Sequence, residues 1–123
     1  MRTLLAAAAI LAALLPIEAQ ARLTETAKVR YETSDGRSKW YSVDVNFLTG
    51  TELNRATASF RYNGFKNYAV IFWGDEQVSV ILLNSPILFC ALEFTSNCLP
   101  ILGRMKGPDQ EGRQWEVCTA MFC

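Results

Sequence analysis

The stretch "YAVIFWGDEQVSVILL", residues 68–83, decides the fold. Two apolar runs, Tyr68–Trp73 and Val78–Leu83, flank Gly74-Asp75-Glu76-Gln77. Successive side chains of a strand point to opposite faces, so a strand at a surface alternates apolar and polar residues. Here Ile71-Phe72 and Val80-Ile81 are consecutive apolar pairs, and neither face is polar throughout. A strand apolar on both sides is covered on both sides. The stretch therefore reads as the middle hairpin of a sheet, buried by flanking strands and by the loop between Cys90 and Cys98. A sharper reading leaves one face open, with Tyr62, Ile71 and Trp73 as candidate binding residues. Exposed apolar patches on soluble proteins mark interaction sites, and aromatic anchors concentrate where partners dock.

Working outward, the chain continues as short strands and turns. Val29 and Tyr31 alternate with Lys28, Arg30 and Glu32, a period of two. Asp35-Gly36 is a hairpin signal, because both residues tolerate positive φ. In "KWYSVDVNF", Tyr41, Val43, Val45 and Phe47 fall on one side and Trp40, Ser42, Asp44 and Asn46 on the other. Thr51–Ala58 reads as a short helix or connecting loop, with Thr51 a possible cap. "TASFRY" resumes alternation through Ala58, Phe60 and Tyr62, and Asn63-Gly64 is a second hairpin signal. Asn84-Ser85-Pro86 is a turn, and "ILFCALEF", residues 87–94, is either a strand or a buried helical turn. "ILGRMKG" and "RQWEVC" are the arms of a last hairpin around a linker rich in turn formers. The expected fold is all-β: a small, disulfide-stapled antiparallel β-sandwich or partly open β-barrel with at most one short helix.

The first residues set the expected compartment. Met1-Arg2-Thr3 is a charged start, Leu4–Leu15 is apolar, and Pro16 precedes Ala19-Gln20-Ala21. Twelve apolar residues fall short of the roughly 20 that span a bilayer. Residues 1–21 therefore read as a signal peptide with cleavage after Ala21, leaving residues 22–123 as one domain. The expected location is periplasmic or secreted, without stable membrane insertion. Cys90, Cys98, Cys118 and Cys123 all lie in the exported part, where thiols oxidise. Four cysteines allow three pairings. Cys90–Cys98 with Cys118–Cys123 is favoured because near neighbours meet first; a crossed pairing of the Cys90 loop with the tail stays open.

Composition narrows the function by exclusion. The chain has no histidine, which removes Ser-His-Asp and Cys-His catalysis and His-based metal sites. The cysteine spacing lacks paired C-x-x-C knuckles, so no metal is expected. Asp75 with Glu76, and Asp109 with Glu111, are the nearest carboxylate pairs, and both sit in turns where acids serve solubility and geometry. No phosphate loop or dinucleotide fingerprint occurs, so no cofactor and no catalytic residue is expected. Twelve basic residues balance twelve acidic ones, without the dominant basic face that nucleic acid requires. Local basic groups remain at Arg55, Arg61 and Lys66 and at Arg104, Lys106 and Arg113.

"SFRYNGFKNY" followed by "FWGDEQVSV" resembles, over residues 59–68 and 72–80, the membrane-bound or periplasmic inhibitors of C-type lysozyme. That resemblance implies a small β-barrel and makes Ser59 the nearest match to the loop serine those inhibitors insert. The family's Lys before Gly-Asp-Glu and its small-residue Ser-Gly loop are absent here. The expectation is therefore a non-catalytic binding protein that acts on a protein or cell-envelope component. A carrier of a small apolar ligand and a periplasmic enzyme inhibitor are the alternatives.

Overall fold

The computed structural model describes residues 23–84, 90, 93–99, 103–120 and 123. The expected signal peptide, the Ser85-Pro86 turn and most of "ILFCALEF" lie outside the described residues. Strands run in the order β1 (Leu23–Thr33), β2 (Gly36–Arg37), β3 (Tyr41–Thr49), β4 (Asn67–Gly74), β5 (Gln77–Leu83), β6 (Arg104–Pro108) and β7 (Gln114–Cys118). One helix, α1 (Gly50–Thr57), follows β3, and a 3-10 turn covers Ser96–Cys98. The sheet order is β5-β4-β3-β1-β7-β6, with β2 paired to β1. Every pairing is antiparallel. The sheet curls into a half-barrel, so of the two expected architectures the barrel is the one formed.

The 68–83 hairpin is formed, but it lies at one end of the strand order rather than in its middle. Curling makes it interior all the same. Ala69, Ile71, Ile81 and Leu83 pack inward with Val29, Val45, Phe47, Phe94, Met105, Trp115 and Val117. Tyr68, Val70 and Val80 pack outward against Leu48 and against Leu53 and Ala56 of α1. Each face of the hairpin thus meets its own apolar cluster, which accounts for the missing polar face. The outer cover is the helix, where flanking strands had been expected. The Cys90–Cys98 loop supplies part of the inner cover, with Phe94 stacked on Phe47 at 5.3 Å.

The open side of the half-barrel is bridged by a seam between β5 and the β6–β7 hairpin. The Asn84 N–H donates to the Lys106 carbonyl at 2.9 Å. The Gln110 side-chain amide acts like a strand residue: its Nε2 donates to the Val78 carbonyl at 2.8 Å, and its Oε1 accepts from the Val80 N–H at 2.9 Å. Gly107 lies so close to Leu82 that a Cβ there would fall 1.6 Å from the Leu82 carbonyl oxygen.

Helix α1 starts in a capping box. The Thr49 hydroxyl accepts from the Glu52 N–H at 3.1 Å, and the Glu52 carboxylate accepts from the Thr49 N–H at 2.9 Å. The cap is therefore Thr49, two residues before the expected Thr51, whose hydroxyl instead donates to the Gly64 carbonyl at 3.4 Å. The same Glu52 oxygen accepts from the Phe94 N–H at 3.0 Å, tying the helix start to the disulfide loop. Full burial of Leu53 stabilises this packing by about 1.5–3 kcal/mol. The cysteines pair as favoured, Cys90–Cys98 and Cys118–Cys123. Loops this short contribute about 2–2.5 kcal/mol each on the chain-entropy account. Such pairs fit an oxidising, extracytoplasmic setting. No helix among the described residues is long and apolar enough to cross a membrane.

Candidate functional site

The segment expected as the strand "TASFRY" is the helix terminus and an irregular loop. Ala58 adopts a left-handed conformation, φ 52°, as the C-cap, and its neighbour Ser59 donates its N–H to the Asn54 carbonyl at 2.9 Å. That single left-handed residue ends the alternation that residues 57–62 had suggested.

Residues 58–66 are irregular in path yet closely held. The Asn54 side chain donates to the Tyr62 carbonyl and accepts from the Tyr62 N–H, both at 2.8 Å. The Tyr68 phenol accepts from the Asn63 N–H at 3.0 Å. Burial holds that phenol above its ordinary pKa and outweighs the opposing pull of the Asn63 bond. The Asn63 side chain accepts from the Phe65 N–H at 2.8 Å, an Asx turn. Gly50 N–H donates to the Lys66 carbonyl at 2.8 Å. A Cβ on Gly50 would fall 1.8 Å from the Asn63 carbonyl oxygen, so only glycine lets the loop sit on the helix start.

This held loop presents two phenylalanines to water. Phe60 is 100% exposed and Phe65 79% exposed, the two large apolar side chains so placed among the described residues. Arg55, Arg61 and Lys66 surround them in sequence and are exposed. None of the three is paired with a carboxylate among the described residues.

The residues singled out from sequence do not come together. Ile71 is fully buried in the barrel. Tyr62 packs edge-on against Tyr68 on the outer face, with centroids 5.3 Å apart. Trp73 sits at the opposite end of β4 from the loop, roughly 20 Å along the strand from Asn67 at ~3.3 Å per residue. There it stacks on Trp115 at 5.7 Å and meets Tyr41 edge-on at 6.0 Å, while Tyr31 meets Trp115 at 5.1 Å. The indole N–H groups are taken: Trp73 donates to Ser79 and Trp115 to Asp109, each at 2.9 Å. These four rings plug one mouth of the barrel. Asp109 also accepts the N–H groups of Glu111 and Arg113, so its carboxylate organises the β6–β7 turn. Ser59, the match suggested by the inhibitor resemblance, is half-buried and bonded to the Thr57 hydroxyl at 2.8 Å.

Beside the plugged mouth, Glu116 bridges strands. Arg30 lies 2.6 Å and Arg37 3.8 Å from its carboxylate. Burial raises its pKa, but the Arg30 hydrogen bond and the charges of Arg30, Arg37 and Lys106 outweigh it and hold the group below its ordinary 4.5. A depressed carboxylate pKa contributes stability above the unfolded value that is lost as pH falls through the folded one. Wild-type protein is thus expected to lose stability below pH 4.5 more steeply than Glu116→Gln. Urea midpoints measured from neutral to acid pH check this, and parallel acid limbs would refute it.

The sequence carries only part of the signal for Phe60 and Phe65. Thr49-x-x-Glu52 marks the helix start, and the charges at Arg55, Arg61 and Lys66 have no acid between them. The alternation of residues 57–62 concealed it. Compared with protein-family models, curated proteins and solved structures, the chain matches none.

Proposed function

We propose that this chain is an exported, periplasmic or secreted, non-catalytic binding domain. It docks on a protein or cell-envelope component through residues 58–66. The observation that carries the reading is the exposure of Phe60 and Phe65 on a loop fixed by side-chain hydrogen bonds. Two large apolar side chains exposed on one short, ordered loop offer a contact surface. A loop already ordered in the free protein loses little conformational entropy on docking. The packed barrel interior and the plugged mouth favour contact at the surface over carriage inside. The two disulfides and the Leu4–Leu15 run support export.

The test is retention of the oxidised protein on isolated envelope fractions. Phe60→Ser with Phe65→Ser is expected to weaken retention at least about tenfold. The unfolding midpoint should stay unchanged, because neither ring contributes to the core. Equal retention of wild type and double variant would overturn the reading.

A further inference from the structure

We infer that the docking loop meets an anionic lipid surface, with Phe60 and Phe65 entering the headgroup boundary and Arg55, Arg61 and Lys66 lying against the headgroups. This rests on residues 58–66 being the docking loop. Charge is the first argument. The chain is neutral as a whole, yet residues 53–74 carry Arg55, Arg61 and Lys66 and no acid. The nearest carboxylate before them, Glu52, is buried and occupied by the N–H groups of Thr49 and Phe94. The loop segment itself thus carries only positive charge, and its complement is an anionic surface.

Shape is the second argument. Phe60 is wholly exposed and Phe65 nearly so. A protein partner would need a matching pocket for each ring, whereas the boundary of a bilayer admits apolar side chains without shaped cavities. Apolar insertion combined with basic residues is the pairing that gives peripheral, reversible membrane binding. Rigidity is the third argument. The bonds from Asn54, Asn63 and Tyr68 fix the loop before any contact, so the rings need not be ordered by the surface.

The magnitudes follow from the parts. Each basic residue near an anionic surface is worth about fivefold in partitioning. Each phenylalanine withdrawn from water is worth at least about tenfold. Vesicles of phosphatidylglycerol and phosphatidylcholine should bind the oxidised protein about 100-fold more tightly than phosphatidylcholine alone. Binding should fade as salt approaches ~1 M, where the screening length is about 3 Å.

The experiment is flotation of the oxidised protein with both vesicle types. Phe60→Ser with Phe65→Ser is expected to lower anionic-vesicle binding about 100-fold. Arg61→Gln with Lys66→Gln, which leaves both rings in place, is expected to lower it about 25-fold and to flatten the salt dependence. Near-wild-type unfolding midpoints confirm that both variants are folded. Failure to float with anionic vesicles, or flotation that neither pair of substitutions weakens, overturns the lipid assignment. If envelope retention still depends on Phe60 and Phe65 in that case, the docking loop stands and its occupant is a protein. If envelope retention is also indifferent to them, both readings fall.

Discussion

Gly107→Ala is expected to destabilise the oxidised domain by about 3–4 kcal/mol, a large share of the 5–15 kcal/mol that holds a small domain together. The added methyl would fall 1.6 Å from the Leu82 carbonyl oxygen and 2.7 Å from its carbon. Both are backbone atoms, so no rotamer change relieves the clash. Relief requires β6 to move away from β5. That motion stretches the Asn84–Lys106 hydrogen bond and draws Gln110 off Val78 and Val80. The seam would open while the β4–β5 and β6–β7 ladders persisted. Urea unfolding measures the loss, and amide exchange locates it: Asn84 and Val80 should show the largest acceleration, with buried Ala69 accelerated no more than the global loss of stability requires. An unaltered midpoint with Asn84 still protected would show that the seam does not close the barrel.

The second large effect is expected at Gly50→Ala. Its Cβ would meet the Asn63 carbonyl oxygen at 1.8 Å and its carbon at 2.5 Å, again backbone atoms. The loop must lift from the helix start, which breaks the Gly50–Lys66 bond and disturbs the Asn63 turn. A stability loss of about 2–3 kcal/mol follows from overpacking and the lost bond. Binding to envelope fractions should fall as well, although both phenylalanines remain, because their presentation is lost. Gly64→Ala is the control. A Cβ there meets only the Thr51 hydroxyl, at 3.1 Å, and that side chain can turn aside. Equal behaviour of the two substitutions, in urea and in binding, would show that the loop is not seated by Gly50.

The strands were legible where local chemistry dictates them. The inward set Tyr41, Val43, Val45 and Phe47 is the inner face of β3. Asp35-Gly36 is at the turn between β1 and β2. The arms of the last hairpin are β6 and β7, with Ile101 and Leu102 outside the described residues. The short-range cysteine pairs were legible too, because small loops close readily. Strand order was not. Two-sided burial of Val70 and Ile71 says that both faces are covered, but not by what. A helix supplies one cover and curvature the other, and neither leaves a mark in the period of the hairpin itself.

The binding candidates fared differently, for a physical reason. Apolar content selects Ile71 and Trp73, yet apolar content is also what a core requires, and the barrel uses both residues that way. Phe60 and Phe65 escaped notice because their exposure is set at a distance. It depends on the left-handed turn at Ala58, on the Asn54 side chain reaching Tyr62, and on the missing side chain of Gly50. Each is a tertiary circumstance that alternation cannot report.

An open sheet ends in a row of unpaired amides and carbonyls, and such a row templates strands from other molecules. Here the row along β5, the first strand of the order, is occupied by the Gln110 side chain at Val78 and Val80 and by the Lys106 carbonyl at Asn84. Gln110 and β6 together thus leave less of that edge open to strand addition than a bare β5 would.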